Sequence, residues 1–231
     1  MSEHLTVALI TYKRTDYAVR TIQALNRCLQ YPRWSWYISD DGSGSEHHNA
    51  VHDACLATDH PIIGHHNEAI SYGSGANTAL QYAFDAGQLV LMLEDDWELT
   101  RPMDMWKWAA LLMERPDIGM VRMGYLNNGL SGTLIDHKGS LYWNLDDTES
   151  KHHSIMAFAG HPALIHQRYF DSYGTYPEKW QPGETELRMA WQFAATPVGP
   201  AIVWPAELGA AGPFAHIGGV QSYEWNGGIQ L

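Results

Sequence analysis

Cysteine is nearly absent from this chain of 231 residues, which contains only Cys28 and Cys55. Two cysteines are too few for a zinc cluster and are weak evidence for a disulfide, so we expect a reducing, cytoplasmic setting. The sequence also lacks an uninterrupted apolar run of membrane-spanning length, and its N-terminus has no basic region that leads into an apolar stretch and a cleavage site. We therefore expect a soluble protein that is not exported.

Basic residues are also scarce. The chain has 14 Lys and Arg against 26 Asp and Glu, for a net charge of −12. A broad basic surface for phosphate backbones is therefore missing, which disfavours nucleic-acid binding but leaves room for a local basic groove. Hydrophobic residues make up 45% of the chain, enough for a substantial core. Because we find no internal repeat and no linker, we expect a single domain over residues 1–231.

Short apolar runs alternate with segments of helical spacing in the first part of the chain. We predict strands, with helices between them, at Leu5–Thr11, Trp34–Ser39, Pro61–Gly64 and Gln88–Leu93. The fourth run, QLVLML, is almost entirely apolar, so we expect it to be central and buried on both faces. This alternation predicts an α/β fold with a mostly parallel central sheet flanked by helices. Ligands are then expected beyond the carboxyl ends of the strands.

The pattern is less regular after residue 100. We predict helices at 102–115 and Glu184–Ala194, with a strand at IGMVRM between them. The glycine- and asparagine-rich stretch through Ser140 is typical of turns, and the tail from Gly209 onward is typical of loop. The second half is therefore expected to be less regular than the first.

Three adjacent carboxylates, Glu94, Asp95 and Asp96, directly follow the apolar fourth strand. Like charges at this spacing repel one another, and a bound divalent cation would remove that repulsion. Side chains alternate in an extended segment, so at most two of the three are expected to contact one ion. The alternative, a solvated acidic turn, is equally compatible with the spacing.

Two other predicted strands also end in polar segments. Asp40 and Asp41 begin the first, DDGS, and a carboxylate there could accept a hydrogen bond from a ribose hydroxyl or a base N–H. The other, YGSGAN at 72–77, is a glycine-rich helix entrance that could hold phosphate. Taken alone, the first is equally well explained as a turn with a helix cap, and the second as a tight turn. GSGANT lacks the third glycine of the dinucleotide fingerprint, and no GxxxxGK is present.

Glu184 and Glu186 lie at the start of the late helix. Either could act as a general base, but carboxylates in a first turn also stabilise the helix dipole. Residues two apart on a helix face different ways, so both should not reach one reacting atom. His216 stands out from the other histidines only by its context, FAHIGG, and the paired histidines, such as His47 and His48, are expected at the surface.

Five segments in order resemble the nucleotide-sugar glycosyltransferases of the GT-A fold, family 2 in particular. The segments are VALITYKRTDYAVRTIQAL, ISDDGSGSE, NEAISYGSGANTAL, LVLMLEDDWEL and the late pair PGETELRMA and HIGG. The resemblance covers nearly the whole chain and implies a single GT-A (Rossmann-like) domain. Its first half, about 1–100, would bind the nucleotide sugar, and its second half, about 101–231, would bind the acceptor and carry the catalytic base.

The resemblance also implies roles for individual residues. The metal ligands would be Asp96, from an EDD variant of the DxD motif, and His216, which would hold Mn²⁺ or Mg²⁺ on the donor diphosphate. Family 2 enzymes usually have a Glu-Asp pair where this chain has Glu184-Thr185-Glu186, so the base is Glu184 by alignment on the preceding glycine, with Glu186 as second choice. The residues implied for donor binding are Thr11, Tyr12, Arg14, Asp40, Asp41, Asn77, Glu94 and Asp95.

The expected function is metal-dependent transfer of a sugar, with inversion, from a nucleotide diphosphate donor to an acceptor hydroxyl. A UDP-linked donor is implied by the resemblance only. The acceptor is expected to be a soluble molecule, saccharide or protein, and a modified base in DNA stays open as an alternative. Three other functions also stay open: a metal-dependent hydrolase or nucleotidyltransferase, a glycosidase with two carboxylates, and a non-catalytic nucleotide-sugar-binding module.

Overall fold

A computed structural model describes residues 4–68, 71–124, 132–145, 157–160, 162–196, 198–209 and 211–218. Its main feature is a nine-stranded sheet with helices on both faces. The helices are α1 (Thr15–Cys28), α2 (Ser45–Leu56), α3 (Tyr72–Ala86), α4 (Met105–Glu114), α5 (Arg168–Tyr173) and α6 (Pro182–Ala195). The strands are β1 (Leu5–Thr11), β2 (Leu29–Gln30), β3 (Trp34–Asp40), β4 (Ile62–Asn67), β5 (Leu89–Glu94), β6 (Trp97–Leu99), β7 (Met103–Asp104), β8 (Ile118–Arg122), β9 (Thr133–His137), β10 (Ser140–Asn144), β11 (Ala163–His166), β12 (Ala201–Pro205) and β13 (Phe214–His216).

The large sheet has the strand order β4-β3-β1-β5-β11-β8-β12-β10-β9. From β4 to β5 all neighbours are parallel. The antiparallel strand β11 then separates β5 from β8, and β9 and β10 form an antiparallel edge beyond β12. The predicted parallel arrangement therefore holds for the first half of the chain, and the second half makes the sheet mixed.

The parallel strands β1 and β5 are buried on both faces, and their successive side chains enter two different cores. Along β1, Val7 and Leu9 pack in one core, which also contains Ile22 of α1. Ala8 and Ile10 face the other core, which contains Ala76 and Ala79 of α3. Two buried faces explain why these strands are continuous apolar runs and not alternating ones.

The elements predicted in the first half are all present, and β5 lies between β1 and β11 as a buried central strand. The second half differs from the prediction. Strand β9 forms in the stretch through Ser140 for which turns are predicted, β10 begins at the end of that stretch, and β13 forms in the tail for which loop is predicted. These strands are short, and β9 is largely exposed, so they carry no long apolar signal. Among the described residues, no helix is long and apolar enough to cross a membrane.

Candidate functional site

The carboxyl ends of three neighbouring strands bring the predicted donor-side residues together. β1 lies between β3 and β5, and its register places Thr11 opposite Asp40 on one side and Ile10 opposite Glu94 on the other. Segments 40–43, 11–14 and 94–96 therefore meet at one edge of the sheet. This is where open α/β sheets bind their ligands.

Asp95 anchors the loop that follows β1. The residue is fully buried, and its Oδ2 accepts hydrogen bonds from Thr11 Oγ1 at 2.9 Å and from the Tyr12 backbone N–H at 3.0 Å. Its Oδ1 forms an ion pair with Arg14 Nη2. Burial raises the pKa of Asp95 to about 6, although the Arg14 charge and these hydrogen bonds act in the opposite direction. The middle carboxylate of the trio thus faces protein groups and holds the loop in place.

Asp96 lies beside His216, from which it is separated by 120 positions in the sequence. β13 pairs with β6 so that His216 is opposite Trp97, and this pairing places His216 Nε2 at 3.1 Å from Asp96 Oδ2. The same Oδ2 accepts a hydrogen bond from Arg14 Nη1 at 2.5 Å. Asp96 Oδ1 is buried and has no hydrogen-bond partner within the described ranges.

This arrangement is compatible with a hard divalent cation. A buried carboxylate oxygen without a partner needs a proton donor or a cation, and Asp96 Oδ1 is such an atom. The described residues contain no cluster of three or more His, Cys, Asp or Glu that could hold a metal. Asp96 and His216 would therefore contribute a two-residue site. Mg²⁺ commonly binds in this way, with one or two protein ligands completed by substrate phosphates and water.

Glu94 points into a small pocket on the other side of the strand end. Tyr72 Oη donates a hydrogen bond to Glu94 Oε1 at 2.8 Å. Burial, together with the charges of Asp96, Asp95 and Glu186, raises the pKa of Glu94 to about 8. The pocket is lined by Tyr72, Met92, Leu93, Glu94, Met120, Phe158, Ala159, Gly160, Ala163, Ile165 and Tyr176.

The two candidate bases face different surroundings. Glu186 Oε1 accepts a hydrogen bond from the Gly160 backbone N–H at 2.7 Å, and its charge affects Glu94. The side chain of Glu184, two positions earlier on α6, is 41% exposed and ion-paired with Arg188 at 2.9 Å. Glu186, the second choice from the sequence, therefore lies beside the pocket through its contact with Gly160, which lines it.

Asp40, Asp41 and Asn77 all make hydrogen bonds within the protein. Asp40 Oδ1 accepts from Ser43, while its Oδ2 is buried without a hydrogen-bond partner in the part of the chain described. Asp41 Oδ1 accepts from the Ser71 backbone N–H at 3.1 Å. The Asn77 side chain bonds both the N–H and the carbonyl of Tyr176 and thereby joins α3 to the segment before α6. These two hydrogen bonds hold Tyr176 to α3.

Sequence reasoning missed two residues at the site. Tyr72 is predicted only to be part of a glycine-rich turn, but its hydroxyl donates a hydrogen bond to Glu94. The expectation of a surface position is wrong for His47, which is 5% exposed and bonds Thr11 Oγ1 at 2.9 Å and Thr15 Oγ1 at 2.8 Å. The sequence could have indicated a position near the site for His47, because this residue is in the first turn of α2, directly after the DDGS strand end.

No protein-family model and no curated protein sequence matches this chain. Solved structures do. S. aureus TarS 1-349 in complex with UDP matches with a TM-score of 0.60 at 15% identity, over 87% of this chain and 59% of that one. The same protein in complex with UDP-GlcNAc matches with a TM-score of 0.60 at 14% identity, over 87% of this chain and 57% of that one. The mannosyltransferase PcManGT from Pyrobaculum calidifontis, in complex with GDP-Man and Mn²⁺, matches with a TM-score of 0.61 at 14% identity, over 97% of this chain and 60% of that one. This chain has a GT-A-type fold. The α/β fold predicted from the sequence is thereby confirmed.

The GT-A-type fold is shared at low identity, so the likeness is one of architecture. The chain spans less than two thirds of the length of the structures just named. The neighbours bind UDP, UDP-GlcNAc, or GDP-Man with Mn²⁺.

Proposed function

We propose that this protein is a metal-dependent glycosyltransferase that moves a sugar from a nucleotide diphosphate donor to an acceptor hydroxyl with inversion at the anomeric carbon. The observation that carries the proposal is the pairing of Asp96 with His216 at 3.1 Å, at the end of the buried strand β5. A second observation that supports it is the hydrogen bond from Gly160, a residue that lines the adjoining pocket, to Glu186 Oε1. Nucleotide-sugar complexes of structures with the same fold support the proposal.

The donor would bind along the three strand ends. Thr11, Tyr12 and Arg14 follow β1, Asp40 and Asp41 follow β3, and the shared edge gives these residues access to one nucleotide. Asp40 Oδ2 is buried, lies 3.8 Å from His48 Nδ1 and has no hydrogen-bond partner among the described residues, so it is suited to accept a base N–H or a ribose hydroxyl. We propose a UDP-linked donor, and the GDP-Man complex of PcManGT makes a GDP-linked sugar the first alternative to test.

Asp96 and His216 would hold Mn²⁺ or Mg²⁺ against the donor diphosphate. When bound, the cation supplies positive charge that stabilises the leaving nucleotide diphosphate. Asp96 Oδ1 is the atom with free acceptor capacity, and His216 Nε2 approaches the same carboxylate. Arg14 contributes a second positive charge next to that carboxylate.

Glu186 would be the general base. Its carboxylate accepts the proton of the acceptor hydroxyl as that oxygen attacks the anomeric carbon from the face opposite the leaving diphosphate, which inverts the configuration. The Gly160 N–H bonded to Oε1 fixes the orientation of the carboxylate, so no reorganisation is needed in the transition state. A positioned base of this kind contributes about 10²–10⁴-fold to the rate.

A thermal-shift screen of UDP and GDP sugars, with and without Mn²⁺, tests donor binding. A ligand that binds only the folded state at about 100 times its Kd stabilises the protein by about 2.7 kcal/mol. We expect a shift with UDP or a UDP-sugar only when Mn²⁺ is present, and its loss in Asp96→Asn. The control is Asp171→Asn, because Asp171 is an exposed residue of α5, and this variant should keep the full shift.

A screen for product separates the proposed transferase from its alternatives. Transfer requires a new glycoside that is formed only when an acceptor is present. Free sugar without acceptor would instead indicate a hydrolase, and donor binding without turnover would indicate a binding module. Donor binding that survives complete chelation of divalent cations would contradict the proposal.

A further inference from the structure

Arg14 pairs with the carboxylate that would hold a divalent cation. Its guanidinium bridges two carboxylates, with Nη2 on Asp95 Oδ1 and Nη1 on Asp96 Oδ2 at 2.5 Å. The Arg14 side chain is only 9% exposed, so its positive charge is stabilised mainly by the two carboxylates and little by solvent. Burial disfavours the charged form, but the neighbouring carboxylates outweigh burial and raise the pKa of Arg14.

The oxygen that Arg14 holds is the one that faces His216. Asp96 Oδ2 is 3.1 Å from His216 Nε2, and Oδ1 of the same carboxylate has no hydrogen-bond partner among the described residues, so a cation held by Asp96 and His216 would share this carboxylate with Arg14. Two positive charges would then meet at one partly buried carboxylate, where their repulsion is strong. Arg14 and the cation therefore compete for Asp96.

We propose that Arg14 is an internal counter-ion of Asp96 that releases this carboxylate only when a nucleotide diphosphate is present, which couples metal binding to donor binding. This inference rests on the function proposed above. Without nucleotide, an Arg14 that is released from Asp96 would lose one of the two ion pairs that it makes among the described residues. With nucleotide, the diphosphate provides an anion in place of Asp96, and Arg14 keeps a charge-assisted pair. By linkage, the metal must strengthen nucleotide binding as much as the nucleotide strengthens metal binding.

Two variants of Arg14 separate direct competition from a general effect of charge. Arg14→Lys keeps the positive charge, but one ammonium cannot bridge two carboxylates as the guanidinium fork does. We expect this ammonium to remain with the fully buried Asp95 and to free Asp96. Arg14→Gln removes the charge altogether. Its matched control is Arg27→Gln, at the last turn of the helix that follows Arg14, where the side chain is 60% exposed and lies 3.9 Å from Glu98.

The experiment measures Mn²⁺ binding to the whole chain by the electron paramagnetic resonance signal of free Mn²⁺, with and without UDP. For the unmodified protein, we expect UDP to tighten Mn²⁺ binding about tenfold or more, which is the effect of one charge-assisted contact. In Arg14→Lys and Arg14→Gln, Mn²⁺ should bind about tenfold tighter without UDP, and UDP should add little. Arg27→Gln should behave as the unmodified protein.

The outcomes distinguish this inference from the proposed function. If UDP tightens Mn²⁺ binding in the unmodified protein but Arg14→Lys binds Mn²⁺ no better without UDP, only the role of Arg14 is overturned. If the unmodified protein binds no Mn²⁺ even with UDP but Arg14→Lys binds it alone, Arg14 competes with the metal, but its release by the nucleotide is overturned together with the proposed donor site. If no variant binds Mn²⁺, both are overturned. Arg14→Gln leaves the buried Asp95 without its ion pair, which could destabilise the fold, so thermal unfolding of each variant is measured in parallel. If Arg14→Gln does not fold, the result for Arg14→Lys decides the role of Arg14.

Discussion

Single residues at the end of β5 have sharply different surroundings although they are adjacent in sequence. Glu94 accepts a hydrogen bond from Tyr72, Asp95 holds the loop after β1, and Asp96 faces His216. An acidic triplet in a sequence cannot reveal this division, because it depends on which neighbour each side chain meets. The structure thus separates one motif into three different environments.

At the residue scale, the two glutamates of α6 provide a direct test of the proposed base. We expect Glu186→Gln to lower kcat for sugar transfer about 10²–10⁴-fold, because Gln accepts no proton, while the Gly160 contact is retained. Glu184→Gln should stay within a few-fold of the unmodified enzyme, since Glu184 is paired with Arg188 at the surface. The measurement is the rate of nucleotide release that depends on acceptor.

Both glutamine variants should keep the thermal shift caused by UDP and Mn²⁺, which shows that donor binding is intact. The reverse result, with Glu184→Gln inactive and Glu186→Gln active, would assign the base to Glu184, as the alignment on the preceding glycine indicates.

At the element scale, the small sheet of β6 and β13 brings the C-terminal part of the described chain to the acidic strand end. Its register places His216 opposite Trp97, and the Ile217 backbone N–H bonds the Asp96 carbonyl at 2.8 Å. Gly218, two residues after His216, packs directly on the Asp96 carboxylate. The position of β13 therefore sets the surroundings of Asp96.

This packing predicts a specific effect of Gly218→Ala. A Cβ at this position would lie 2.3 Å from Asp96 Oδ2 and 3.0 Å from its Cγ, so the carboxylate or the chain after β13 must move. We expect Mn²⁺ affinity in the presence of UDP to fall about tenfold, the order of loss seen when a group that orients a metal ligand is changed.

The matched control is Gly183→Ala in the first turn of α6, where a Cβ would meet no atom within 4 Å. This variant should bind Mn²⁺ as the unmodified protein does. Unchanged Mn²⁺ binding in Gly218→Ala would show that the segment after β13 does not hold Asp96 in its binding position.

At the scale of the whole molecule, a buried histidine makes stability depend on pH. His166 of β11 is 6% exposed, and its Nδ1 accepts a hydrogen bond from the Arg168 backbone N–H at 3.2 Å. Burial, with a smaller contribution from the Arg168 charge, lowers the pKa of His166 to about 4. The unfolded chain therefore binds this proton at higher pH than the folded chain does, so stability is lost as the pH falls from about 6.5 towards 4.

We expect the free energy of unfolding to decrease by about 2 kcal/mol more in the unmodified protein than in His166→Asn between pH 7 and pH 4.5. Asn cannot take up a proton, and its side-chain oxygen can replace Nδ1 as the acceptor. The measurement is urea unfolding at both pH values. Equal losses in the two proteins would show that His166 does not contribute to the pH dependence.

Much of the first half was predictable because its signals are local. The runs that form β1, β3 and β5 are rich in apolar residues and buried over almost their whole length, and each ends in polar residues. The second half was less predictable. β11 runs antiparallel between β5 and β8, and the edge strand β9 is mostly exposed. The residue pattern of neither strand indicates which strand it pairs with.

The sequence by itself determined the α/β character of the chain, the buried central strand and the acidic residues at its end, because hydrophobic spacing and residue type are local properties. Only the tertiary structure decided that Asp96 meets His216, that Arg14 bridges Asp95 and Asp96, and that Glu186 rather than Glu184 lies at the pocket. These contacts join residues far apart in the chain or depend on the rotation of a helix against the sheet. Both are set by packing of the whole domain.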